Sequence, residues 1–109
     1  MSLFGPTPRV NAARLAQYKS QTVRLTGKVV RMDGDTAIIE ASDGGQVQIK
    51  LHREANISDP FVEILGKVND DLTIKVFSSM NLGSDLDLGV VEKVVQLAHT
   101  DKASGVFSD

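Results

Sequence analysis

Apolar and polar positions alternate along most of the chain, and a helical period replaces the alternation only near the C-terminal end. From residue 22 onward, Val23, Leu25 and Val29 face one way while Arg24, Thr26 and Lys28 face the other, the period of two expected of a half-buried strand. Gly27 interrupts this strand where a barrel strand would coil or bulge. Residues 36–41 predict a second strand, with Ala37 and Ile39 in one environment and Ile38 and Glu40 in the other. Residues 46–51 predict a third, with Val47, Ile49 and Leu51 inward and Gln46, Gln48 and Lys50 outward. Residues 61–68, which contain Gly66, predict a fourth, and residues 72–78 a fifth with Leu72, Ile74 and Val76 inward. Asp33-Gly34-Asp35, Asp43-Gly44-Gly45 and Asn69-Asp70-Asp71 are turn signals, and residues 52–60 are a polar connector with room for one helical turn.

Two helices flank these strands. Asn11 is placed to cap a short helix over residues 12–19, with Val10 before the cap and Leu15 at the fourth helical position in hydrophobic-staple spacing. Leu15 and Tyr18 share a face, so this helix is expected to plug one end of the core. The second helix, over residues 88–99 with Asp87 as its cap, has an unusual distribution of side chains. Leu88, Val90, Val91, Val94, Val95, Leu97 and Ala98 fill one half of its circumference, and Gly89, Glu92, Lys93, Gln96 and His99 fill the other. A surface helix seats on its own core with an apolar stripe of roughly 100°, and this stripe is nearer ~180°. Four of its residues are Val, which loses rotamer freedom in a helix, so burial rather than propensity must hold it. Leu88, Val91, Val95 and Ala98 follow a 3-4-3 heptad spacing, with Val90, Val94 and Leu97 as a neighbouring row. One row is expected to seat on the strand domain and the other to meet another protein. Twelve residues span only ~18 Å, so such an interface needs several helices or further contacts.

Five short strands with a break between the third and fourth, followed by a helix, predict a mainly β fold. The expected architecture is a five-stranded Greek-key barrel of the oligonucleotide/oligosaccharide-binding (OB) type, with a short N-terminal helix and a C-terminal α-helix. The expected organisation is a flexible arm over residues 1–9, the barrel with its N-terminal helix over 10–80, linker and assembly helix over 81–100, and a polar tail over 101–109. No internal repeat or low-complexity run is present.

Composition narrows the function. The chain has 109 residues and a formal charge of −2, which argues against a highly basic nucleic-acid-coating protein. Without cysteine there is no disulfide framework, thiolate zinc site or cysteine nucleophile. His52 and His99 lack a metal-ligand spacing, and His99 on the polar helix face suits the C-terminal dipole. Asp33, Asp35 and Asp43 read as turn residues. Ser58-Asp59 and Ser84-Asp85 have no nearby histidine to activate a hydroxyl. Glycines scattered singly at turns form no phosphate loop. The chain is expected not to be an enzyme and to need no metal or cofactor. No run approaches a membrane span and residues 1–10 lack a signal-peptide core, so an intracellular, soluble protein without membrane or small-molecule partners is expected.

The barrel makes nucleic-acid binding the natural rival. Barrels of this type hold single strands with aromatics on their second and third strands and basic flanking loops. Residues 36–51 contain no Phe, Tyr or Trp, and the two flanking turns are acidic. Arg24 and Lys28 form only a small basic stripe, with Lys50 on the third strand. An autonomous module is therefore expected to bind single strands weakly at best.

Pro8-Arg9-Val10-Asn11-Ala12 followed by Leu15-Ala16-Gln17-Tyr18 resembles the N-terminus of the smallest subunits of replication protein A. The first strand with its Gly27, and Asp87-Leu88-Gly89 opening the helix that carries Val94 through His99, are similar to the corresponding parts of that family. The resemblance implies one OB barrel within the heterotrimeric eukaryotic single-stranded DNA-binding complex of replication, repair and recombination, and so a nuclear protein. It implies that the C-terminal helix joins one helix each from the middle and large subunits in a three-helix core. It also implies an architectural role, DNA being held mainly by the partner subunits. The small OB subunit of a telomere-capping CST-type complex shares this fold and docking mode. The polar tail after His99 departs from the more apolar C-terminus of some relatives.

Overall fold

The computed structural model describes residues 7–51 and 57–99. The far end of the N-terminal arm, most of the expected helical turn in the 52–60 connector, and the tail lie outside the described residues. Six strands and one α-helix follow in order: β1 (Arg9–Val10), a 3-10 helix (Ala12–Tyr18), β2 (Thr22–Asp33), β3 (Thr36–Ala41), β4 (Gln46–Lys50), β5 (Phe61–Val68), β6 (Ile74–Asn81) and α1 (Leu88–Ala98).

The strands close on themselves. β2 pairs antiparallel with β3 through its C-terminal half and with β5 through its N-terminal half. β3 pairs with β4, β4 runs parallel to β6, and β6 pairs with β5, which completes a five-stranded ring. This is the OB barrel, with β1 added parallel to the start of β2. Alternation builds its interior. Leu25, Ile39, Ile49, Ile64 and Ile74, one from each barrel strand, are each 0 % exposed. Each such side chain contributes about 1.5–3 kcal/mol by leaving water. Val10 and Leu15 cap the same core, as the staple spacing requires.

β2 serves both neighbours because Gly27 lets β3 cross it closely. A Cβ there would meet the Glu40 carbonyl oxygen and the Ile39 side chain. The bulge itself falls later, at the register shift between Val29 and Arg31. Beyond it β2 continues through Asp33, leaving Gly34-Asp35 as the turn and turning Val30 and Met32 toward solvent.

Several expectations need correcting. The N-terminal helix is a 3-10 helix; Asn11 caps it by accepting from Arg14 N–H at 3.1 Å, as expected. Asp43, in the β3–β4 turn, accepts from the N–H groups of Ala12 and Ala13, so the free donors at that helix end are satisfied from across the fold. Arg9 belongs to β1 rather than to an arm. Leu72 does not enter the last strand: it sits in the preceding turn with φ of 65° and 36 % exposure, and β6 begins at Ile74 and runs on through Asn81. Leu51 lies just past β4, half-buried against the core.

Candidate assembly surface

The approach to α1 is fixed by backbone pairing. Leu82 N–H donates to the Phe61 carbonyl, Phe61 N–H donates to the Gly83 carbonyl, and Asp59 accepts from Gly83 N–H at 2.8 Å. The Asp87 carboxylate then caps the helix, accepting from Gly89 and Val90 N–H at 2.9 and 3.4 Å.

The helix seats on the barrel through a mixed edge. Val95 is 0 % exposed and lies beneath the helix, while Leu88, Val91 and Ala98 are half-buried beside it. Around Val95 part of the polar half, Glu92 and His99, turns toward the barrel, with Gln96 at its rim, while Lys93 stays exposed. Glu92 accepts from Asn11 Nδ2 at 3.1 Å to each carboxylate oxygen, from Ser42 Oγ at 2.8 Å and from Gln96 Nε2 at 2.6 Å. Arg14 donates to Gln96 Oε1 at 3.1 Å. The His99 ring lies with Nε2 3.0 Å from the Arg9 carbonyl and Nδ1 3.4 Å from the Tyr18 hydroxyl. Since a carbonyl only accepts, the neutral ring carries its proton on Nε2 and receives the tyrosine hydroxyl on Nδ1. The two rings also meet edge to face, with centroids 5.9 Å apart. Burial works to raise the Glu92 pKa, but the hydrogen bonds from Gln96, Asn11 and Ser42 outweigh burial and the repulsion of Asp43, holding the carboxyl below its ordinary range.

The opposite side of α1 is apolar and wet. Val90, Val94 and Leu97 are 55, 42 and 57 % exposed. With 100° between successive residues, this row and the half-buried Val91 and Ala98 subtend roughly 120°. Beside the row runs a trough of about 200 Å³ walled by Leu82, Leu86, Val90, Val91 and Val94. Arg9 and Glu63, paired at 3.1 Å, line it together with Thr26, whose hydroxyl donates to Glu63 Oε2. Of the two rows in the heptad analysis, the one built on Val95 therefore faces the chain's own barrel. Val95 is not available to a partner, and Leu88, Val91 and Ala98 are available only along one edge. The inward polar clasp of Glu92, Gln96 and His99 escaped sequence reasoning. The only hint was that the partners Asn11, Arg14 and Tyr18 share one segment.

The outward face of β3 and β4 carries Thr36, Ile38, Glu40, Gln46, Gln48 and Lys50, without an aromatic ring. Arg24 and Lys28 are exposed on β2. In the turn before β6, Asp71 Oδ1 accepts from the Thr73 hydroxyl at 2.7 Å and the Thr73 N–H at 3.1 Å, and these two bonds lower its pKa. Among the described residues, no cluster of His, Cys, Asp or Glu has the geometry to hold a metal ion, and no helix is long and apolar enough to cross a membrane.

Comparison with known proteins gives a consistent pattern. The family model described as replication factor A protein 3 matches residues 1–104. Replication factor A protein 3 of Schizosaccharomyces pombe is 28 % identical over 96 residues, which cover 86 % of this chain and 89 % of that protein. A chain in the structure of U. maydis replication protein A bound to single-stranded DNA is 37 % identical, with a TM-score of 0.90 and full coverage of both chains. The telomere capping protein Ten1 from Saccharomyces pombe superposes with a TM-score of 0.67 over 84 % of this chain and 95 % of its own, but at 12 % identity it shares the fold alone.

Proposed function

The chain belongs to the replication factor A protein 3 family, and from that premise we propose that it is the assembly subunit of a heterotrimeric single-stranded-DNA-binding complex. In this reading the barrel is a scaffold, and α1 packs its outer row, Val90, Val94 and Leu97 with the edges of Val91 and Ala98, against one helix from the middle subunit and one from the large subunit of replication protein A. Single-stranded DNA is held mainly by those partners, in the nucleus, in replication, repair and recombination. The chain itself catalyses nothing.

One observation carries the proposal: α1 turns its one carboxylate, Glu92, and the His99 ring onto its own barrel and leaves the apolar row Val90, Val94 and Leu97 in water. A helix with no partner is expected in the reverse orientation, since burying the outer row would stabilise and exposing Glu92 would cost little. The wet side is also short. Eleven residues make ~16 Å of helix about 10 Å wide, a face on the order of 160 Å², well below the ~800 Å² per partner of a standard interface, which suits a multi-helix core with added barrel contacts better than a two-helix seam. The aromatic-free β3–β4 face and its acidic turns support a minor role in holding DNA.

Co-expression of the full chain with the middle and large subunits tests the reading. A complex with one copy of each, stable through gel filtration, is expected. Elution of a folded chain apart from both partners would overturn it, and selective capture of telomere-capping partners would transfer the same docking mode to a CST-type complex.

A further inference from the structure

The barrel carries a row of like charges that its strand order creates. In register, Lys50 of β4 stands directly opposite Lys75 of β6, and Lys75 stands directly opposite Lys67 of β5. All three side chains point outward and are exposed. Strands lie ~4.8 Å apart, so the three lysines are anchored abreast across ~10 Å of barrel wall. Like charges directly opposed across a sheet destabilise it. Among the described residues no carboxylate lies within salt-bridge distance of any of the three. Asp71 lies close enough for its field to reach Lys50, and its Oδ1 is engaged by Thr73. Phe77, two residues along β6 from Lys75 on the outer surface, is 46 % exposed.

We propose that the Lys50–Lys75–Lys67 row is a sequence-independent contact for the phosphate backbone of the single strand held by the assembled complex. A line of cations running across the strands matches a polyanion better than an isolated carboxylate, and the related U. maydis complex is one bound to single-stranded DNA. The row lies clear of the assembly surface: Lys67 is four residues along β5 from Glu63 at the trough, or ~13 Å. It supplies charge without base readout, so its effect is salt-sensitive and modest beside the partners' own grip.

The inference rests on the assembly reading, and the test keeps the two apart. The heterotrimer carrying Lys50→Gln, Lys67→Gln and Lys75→Gln is compared with wild type by anisotropy on labelled oligothymidine over a salt series. Each phosphate contact to a single strand contributes ~0.7 to the slope of log K against log salt, so loss of three is expected to flatten it by about 2. The control Lys19→Gln with Arg31→Gln is expected to leave the slope within about 0.5 of wild type. An assembled triple variant with an unchanged slope overturns the proposal and leaves the row to an acidic peptide or to solvent. An equal loss in the control also overturns it, since net charge would then suffice. The lone full chain at low salt reads the lysines without assembly: its weak binding to oligothymidine must fall at least ~10-fold in the triple variant, and equal binding refutes the row as a phosphate contact.

Discussion

Replacing Val90 and Leu97 with Asp separates assembly from folding most cleanly. Burying a whole Val or Leu side chain is worth about 1.5–3 kcal/mol, and roughly half of each of Val90, Val94 and Leu97 remains in water. Docking the row therefore contributes on the order of 1 kcal/mol per residue, or ~3 kcal/mol in all, about 100-fold in Kd. Val90→Asp with Leu97→Asp removes about 2 kcal/mol of that gain. It also forces two carboxylates into an apolar interface at several kcal/mol each, so a loss beyond ~10,000-fold is expected. The lone chain loses little, because exposed substitutions shift stability by about 0.5 kcal/mol, or within ~4 °C of Tm for a domain this size. The assay is co-purification with the two larger subunits, paired with thermal melting of the isolated variant. Wild-type yield of trimer from a normally melting variant would refute the assignment of the outer row. Val95→Asp is the contrasting control: it places a charge beneath the helix, so α1 is expected to lose its seat even without partners.

Three further outcomes follow from the same geometry. Val95→Ala empties a fully buried site and is expected to cost about 2 kcal/mol, read as faster amide exchange across α1 with the barrel strands unaffected. Gly27→Ala drives a methyl group into the β3 backbone at Glu40, so the lone chain is expected to lose about 3 kcal/mol in denaturant unfolding; a loss under ~1 kcal/mol would show that β3 yields. Glu92 has a folded pKa below its ordinary 4.5, so its contribution is complete above that value and is lost as pH falls through the lower folded one. Amide exchange in α1, corrected for its intrinsic pH dependence, is expected to show weakening of the helix seat from about pH 4.5 downward. Glu92→Gln should remove that dependence, and an unchanged pH profile in the variant would assign the effect to other groups.

The parts of this molecule that repeat along the chain were legible in its sequence. A period of two separates the faces of β3 and β4 and identifies most of the inward residues in β2, because a half-buried strand has only two faces to fill. Where local geometry departs from the period, legibility ends. Leu72 looked like the first inward residue of the last strand, yet the turn uses it with positive φ. Gly27 marked a coil or bulge in β2, but the register shift falls farther along the strand, between Val29 and Arg31, and turns Val30 to solvent. The amphipathic width of α1 was plain, but the side it presents was not. That choice depends on Asn11, Ser42, Arg14 and Tyr18 meeting residues 50 or more positions away in sequence. The lysine row was hidden for the same reason: Lys50, Lys67 and Lys75 become neighbours only through the parallel β4–β6 and antiparallel β5–β6 registers.

The clasp between residues 9–18 and the end of α1 joins positions 81 to 90 apart, so on the ribosome the earlier stretch waits for residues some eighty to ninety positions behind it. A nascent barrel cannot seat its helix until residue 99 has emerged and Glu92 and His99 have turned inward. A fragment ending before residue 88 leaves Asn11 and Ser42 without the Glu92 carboxylate and carries no apolar row, so it is expected not to enter the proposed complex.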